Sequence, residues 1–180
     1  MVDYIRAEVY KVTHRKYLWG FLLIVGGLEA LLVCMWAWMN GDMTNMSAST
    51  GFIMVLYLLT MGYYASAITT DMVFSDQYKF NTLKNEVAYG IPRARIYLGK
   101  LAVGCLVSLA SCVVILLWYG ILCRVLLPGD GAWLEALKCV GFALLAALPV
   151  WLGAQALFYM CFFLLKSSTC LLYTSDAADE

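Results

Sequence analysis

Four long, nearly uninterrupted apolar stretches, residues 17–39, 50–69, 101–127 and 137–165, constrain this chain more than anything else in it. Each is near or above the roughly 20 residues that a helix needs to cross a bilayer. A backbone inside hydrocarbon must satisfy its own N–H and C=O groups, which leaves helices or closed barrels. No period-2 alternation with regular turns is present, so helices are expected. The predicted fold is all-α: a polytopic membrane helical bundle with an N-terminal interfacial helix and four transmembrane helices. Composition agrees, with 63% hydrophobic and 13% charged residues, against roughly 45–50% and 25% in soluble proteins.

The last residues, 170–180, resemble the translation of a sequencing adapter and are expected to be an artefactual tail. Without Asp176, Asp179 and Glu180 the formal charge of zero becomes +3, with twelve basic against nine acidic side chains. The protein would then continue past Thr169, and 1–169 would be a partial transmembrane domain. Apart from Cys170, the cysteines (Cys34, Cys105, Cys112, Cys123, Cys139 and Cys161) are scattered singly through apolar segments. They read as small buried hydrophobes, not as a zinc site or a disulfide framework.

Residues 1–16 put Val2, Ile5, Val9 and Val12 on one helical face, with Arg6, Lys11, Arg15 and Lys16 largely elsewhere, which predicts a helix lying on the membrane. A cleaved signal peptide does not fit, because the apolar run that follows is too long and no small-residue site closes it. Tyr17 and Trp19 mark the inner interface of the first span, and Trp36 and Trp38 the outer one. Ten Lys and Arg residues fall on one side, in the N-terminal segment, the 71–100 loop and at Lys166; only Arg124 and Lys138 fall on the other. By the positive-inside rule the N terminus and the 71–100 loop are cytoplasmic. Residues 40–49 and 128–136, the latter opened by Pro128-Gly129-Asp130-Gly131, are expected to be short external turns.

Within the spans, Gly26 with Ala30, Gly62 with Ser66, and Gly104 with Ser108 and Cys112 have small-residue spacing suited to close helix packing. Pro149 predicts a kink in the fourth span. Glu29 falls near the middle of the first span, where a carboxylate is costly. It reads either as a contact in a translocation path or as a protonated side chain bonded to a neighbouring helix, with Gln155 of the fourth span the named partner. Tyr57, Met61, Tyr63 and Tyr64 on the second span could line a path for an amphipathic molecule, although an aromatic and Met-rich face more often packs or faces lipid.

Enzyme chemistry finds no support. Gly99-Lys100 is followed by Leu101, so there is no Walker A loop, and neither H-E-x-x-H nor G-x-S-x-G occurs. His14, the single histidine, lies beside Arg15 and Lys16 and reads as a surface residue. The acidic residues Asp71, Asp76 and Glu86 do not cluster as metal ligands, so no metal and no cofactor are expected. They also dilute the loop's five bases, which argues against nucleic-acid binding.

The polar stretch Lys79–Lys100 is the informative one. Phe80, Leu83 and Val87 share one helical face, Gly90 is placed to stop that helix, and Pro92 can open the next. A short amphipathic helix is expected, then a second helix that enters the membrane.

Here the chain resembles the membrane subunits of bacterial ABC-2 type exporters. The match rests on Ala7-Glu8-Val9-Tyr10-Lys11 in the N-terminal helix and on a loop pattern T-L-K-N, G, R, I-Y, K, carried by Thr82-Leu83-Lys84-Asn85, Gly90, Arg93, Ile96-Tyr97 and Lys100. It covers about Ala7 to Leu165. Similar subunits have six spans, so four would again mean a truncated chain. They often serve bacteriocin or peptide-antibiotic export and self-immunity in the bacterial cytoplasmic membrane.

The resemblance implies a separate ATP-binding-cassette ATPase that docks on residues 82–90 as a coupling helix. Phe80, Thr82, Leu83, Val87 and Gly90 would form and anchor that helix, with Lys84, Glu86 and Arg93 orienting it through charge. A second permease subunit, identical or related, would complete the path. Two other readings stay open: a non-transporting membrane protein whose loop recruits a partner, and a fragment of a secondary transporter.

Overall fold

The computed structural model describes the backbone of residues 2–40, 46–79 and 92–165; for residues 2–4, 59–61, 64, 74–79, 93 and 163–165 it describes the backbone alone. Among the described residues the regular structure is helical: α1 (Val2–Thr13), α2 (Lys16–Met39), α3 (Ala48–Ile53), α4 (Val55–Lys79), α5 (Arg93–Leu126) and α6 (Trp133–Leu165). Three of these hold segments long and apolar enough to cross a membrane: Lys16–Met39, Ala94–Leu126 and Trp133–Phe162. The chain is thus an all-α membrane helical bundle. The second apolar stretch is carried by α3 and α4, which meet at Met54.

Local chemistry explains the element ends. Ser47, in extended conformation, accepts a hydrogen bond from the Thr50 N–H and so caps α3, satisfying a donor that the first turn leaves orphaned. Pro92 opens α5: its carbonyl accepts from Arg95 N at 2.9 Å and Ile96 N at 3.2 Å, so helical bonding starts at once. Gly131 adopts φ +74° in the turn before α6, a conformation that a Cβ would strain.

The helices contribute to two compact units. One comprises Met1–Leu18, Gly62–Leu109 and Val150–Glu180, the other Trp19–Met61 and Ala110–Pro149. Pro149, inside α6, stands at the boundary between the two.

In the first unit Val12, Leu18, Met72, Val73, Ile96, Val103, Val107 and Phe162 are buried. Gly104 lies so close to Tyr159 that a Cβ there would collide with the Tyr159 hydroxyl and ring. In the second unit the core is Val33, Phe52, Val55, Tyr119, Cys123, Leu127, Ala136 and Val140. Trp133 and Phe52 meet with ring centroids 5.0 Å apart, and the Arg124 guanidinium lies 5.5 Å from the Trp133 ring. The outward face of α2 exposes Leu23, Ile24, Leu28, Leu31 and Met35, as expected of a helix whose apolar surface meets lipid and not water.

The second unit is closed at one end by polar side chains. Asn40 donates to the Met46 carbonyl and accepts from the Met46 N–H, each at 2.7 Å. Ser49 donates to the Asp130 carboxylate, and the Ala48 N–H bonds the Pro128 carbonyl at 2.9 Å. The Ser47 and Ser49 hydroxyls hold the Asp130 carboxyl below its usual range.

Candidate functional site

Helix α1 carries the first element of the site. Its apolar stripe contains not only Ile5, Val9 and Val12 but also Glu8, whose side chain is 2% exposed. The partner is Lys100, whose side chain is 0% exposed on the second turn of α5 and whose Nζ stands 3.2 Å from Glu8 Oε2. Lys11, one turn along α1 and half exposed, donates to Glu8 Oε1 at 2.6 Å. Burial pushes the Glu8 carboxyl up, but Lys100 and Lys11 outweigh it and hold the group below its ordinary value. Withdrawing such charges from water costs several kcal/mol per ion, so the pair persists only because both carboxylate oxygens are engaged.

The same unit contains further ties. Arg15, in the α1–α2 turn, donates to the Met72 carbonyl on α4. Tyr97, one turn before Lys100, donates to the Ala156 carbonyl on α6 at 3.1 Å. Ile96 beside it is buried. The Ile96, Tyr97 and Lys100 part of the loop pattern therefore anchors the first turns of α5 against α1 and α6. Gln155, fully buried, donates to Thr69 Oγ1 at 3.3 Å, and Thr69 and Thr70 both donate to the Ser66 carbonyl. Polar side chains held in the hydrophobic part of a bundle commonly bond across helices in this way.

Glu29 belongs to the other unit. It is 7% exposed, and its Oε2 atom has no hydrogen-bond partner among the described residues. The two aromatic donors that α5 brings to this unit are committed elsewhere: Trp118 to the Gly26 carbonyl at 3.2 Å and Tyr119 to the Gly51 carbonyl at 2.6 Å. Gln155, named with Glu29 from the sequence, has its donor engaged by Thr69.

Phe80, Thr82, Leu83, Lys84, Glu86, Val87 and Gly90 lie outside the described residues. Arg93 is the first residue of α5, described in its backbone only. Sequence reasoning did not single out Glu8, although a signal existed: Glu8 follows Ile5 by three residues and precedes Val12 by four, which places a charge on the apolar face. The six described cysteines are free thiols. Among the described residues no group of three or more His, Cys, Asp or Glu side chains could hold a metal ion.

The described residues form long apolar helices braced by polar ties. A family model described as ABC-2 family transporter protein matches residues 4–172. No curated protein and no solved structure matches the chain. The family match takes in all of the described helices from the first turn of α1 onward, and the chain belongs to the ABC-2 transporter family, as a multi-pass membrane permease component of an ABC transporter.

Proposed function

We propose that this chain is the membrane-spanning subunit of an ATP-driven exporter in the bacterial cytoplasmic membrane, with its N terminus and residues 80–91 on the cytoplasmic side. A separate ATP-binding-cassette ATPase docks on residues 82–90, where Leu83 and Val87 provide the apolar anchor beside Phe80. Lys84, Glu86 and Arg93 set the orientation of that contact. Two permease subunits, identical or related, enclose the path. Glu29, whose buried Oε2 has no hydrogen-bond partner among the described residues, is the candidate contact in that path. Gln155, buried in the other unit with its donor on Thr69, is the second candidate path residue.

The observation that carries this reading is the continuity of α5. It begins at Arg93, directly after Pro92, and runs for 34 residues to Leu126, about 50 Å at 1.5 Å per residue. That exceeds a hydrocarbon core of about 30 Å, so part of the helix stands outside the core. A rigid helix rooted at the docking segment transmits displacement along its axis as a lever does. Its first turns are braced by Lys100 and Tyr97, so the motion is not lost by local bending.

The test is co-purification of the full chain with its ATPase subunit, comparing wild type with Leu83→Asp/Val87→Asp. The reading expects loss of the ATPase and of ATP-dependent transport in the variant, at unchanged membrane expression. Association and activity retained in the variant would refute the docking role.

A further inference from the structure

Among the described residues, two ties from α1 and the turn after it end on different helices of the same unit. Glu8 reaches Lys100 on α5, and Arg15, two residues past α1 in the α1–α2 turn, reaches the Met72 carbonyl on α4. Met72 lies about two helical turns before α4 ends at Lys79, and Lys100 about two turns after α5 begins at Arg93. The helices so tied are the two that bracket residues 80–91. A helix held at the membrane surface by amphipathicity alone would leave its carboxylate in water. Here carboxylate and ammonium are both withdrawn from solvent. A mated buried pair of this kind tolerates little sliding, because any other register leaves two desolvated charges apart.

We propose that α1 is a clamp across the coupling segment, in which Glu8, Lys100 and Arg15 act as positioning residues that hold the near ends of α4 and α5 at one separation. The proposal rests on the reading of residues 82–90 as the ATPase-docking element and adds a mechanical consequence to it. Force delivered between α4 and α5 does not part them; it moves α1, α4 and α5 together. Neutralising Glu8 removes the ionic tie and lets α1 shift against α5.

The test uses the full chain in complex with its ATPase in lipid nanodiscs. Spin labels are attached through genetically encoded keto side chains at positions 10 and 98, so that the native cysteines stay in place. Tyr10 on α1 and Leu98 on α5 are both exposed. Distances are read by double electron–electron resonance without nucleotide and after trapping with ADP and vanadate. The clamp predicts one narrow distance that is the same in both states, broadening in Glu8→Gln, and a return to a narrow distance in the charge swap Glu8→Lys/Lys11→Glu/Lys100→Glu, which reverses every charge of the group. A distance that shifts between nucleotide states, a Glu8→Gln distribution as narrow as wild type, or a charge swap that stays broad would each overturn it. Failure of the ATPase to bind speaks against the docking reading alone, because the nucleotide-free distances of the full chain still decide whether the clamp exists.

Discussion

The Tyr119 hydroxyl stands 2.6 Å from the Gly51 carbonyl oxygen, donating to an acceptor that a continuous helix would offer to Val55. The helical run divides at that place: α3 ends at Ile53, Met54 intervenes, and α4 starts at Val55. A side chain from α5 thus enters the backbone ladder of the second apolar stretch, one of the recognised causes of a helix break. The sequence of that stretch contains no proline to announce it.

Replacing Tyr119 with Phe removes this buried bond while keeping the ring that contacts Phe52. The expected loss is about 1 kcal/mol, the usual net value for one hydrogen bond. Thermal unfolding of the purified chain in detergent measures it. An unchanged midpoint would show that the bond contributes nothing to stability.

Gly104→Ala places a methyl against the hydroxyl and ring of Tyr159, and Tyr159 is itself fully buried. Overpacking of this kind costs about 1–3 kcal/mol. Gly62→Ala is the control, since a Cβ there meets nothing within 4 Å. The same unfolding assay should separate them, with Gly104→Ala lowered and Gly62→Ala near wild type; equal midpoints would contradict the packing account.

Glu8→Leu removes the carboxylate 3.2 Å from the Lys100 ammonium, whose side chain is 0% exposed. Removing one partner of a buried pair costs about 3–5 kcal/mol, whereas replacing both with apolar groups is often neutral. Glu8→Leu/Lys100→Met should therefore recover most of the stability lost in Glu8→Leu. Additive losses, measured by denaturant unfolding, would count against a direct pair.

The pair also predicts a pH dependence. Lys100 and Lys11 hold Glu8 below its ordinary value of 4.5, so the unfolded chain takes up this proton at a higher pH than the folded one. The stabilisation is complete above about pH 4.5 and declines as pH falls through the lowered folded value. The stability gap between wild type and Glu8→Gln should hold steady above that region and close below it. A gap that widens on acidification would reverse the assignment.

Much of the fold follows from hydropathy, because a membrane allows few alternatives to the helix. The apolar runs account for α2, α5 and α6, and Pro92 marks the start of α5 by a local rule that requires no tertiary knowledge. Other features needed the folded chain. The division at Met54 depends on Tyr119, a residue far away in sequence. Lys100 counts toward a cytoplasmic charge bias in the sequence and yet is fully buried; periodicity cannot tell a solvated lysine from one whose carboxylate arrives from α1. Glu29 was legible as a costly intramembrane acid, but the commitment of the Gln155 donor to Thr69 was not.

The central claim is that residues 82–90 meet an ATPase, and photo-crosslinking reads that contact most directly. A benzophenone side chain placed at position 83 or 87 of the full chain, co-expressed with the ATPase subunit, should give a covalent adduct of the two chains on illumination. The same group at exposed position 57 on α4 serves as the reference and should give none. Adducts absent at 83 and 87, with the ATPase present in the same membranes, would contradict the account.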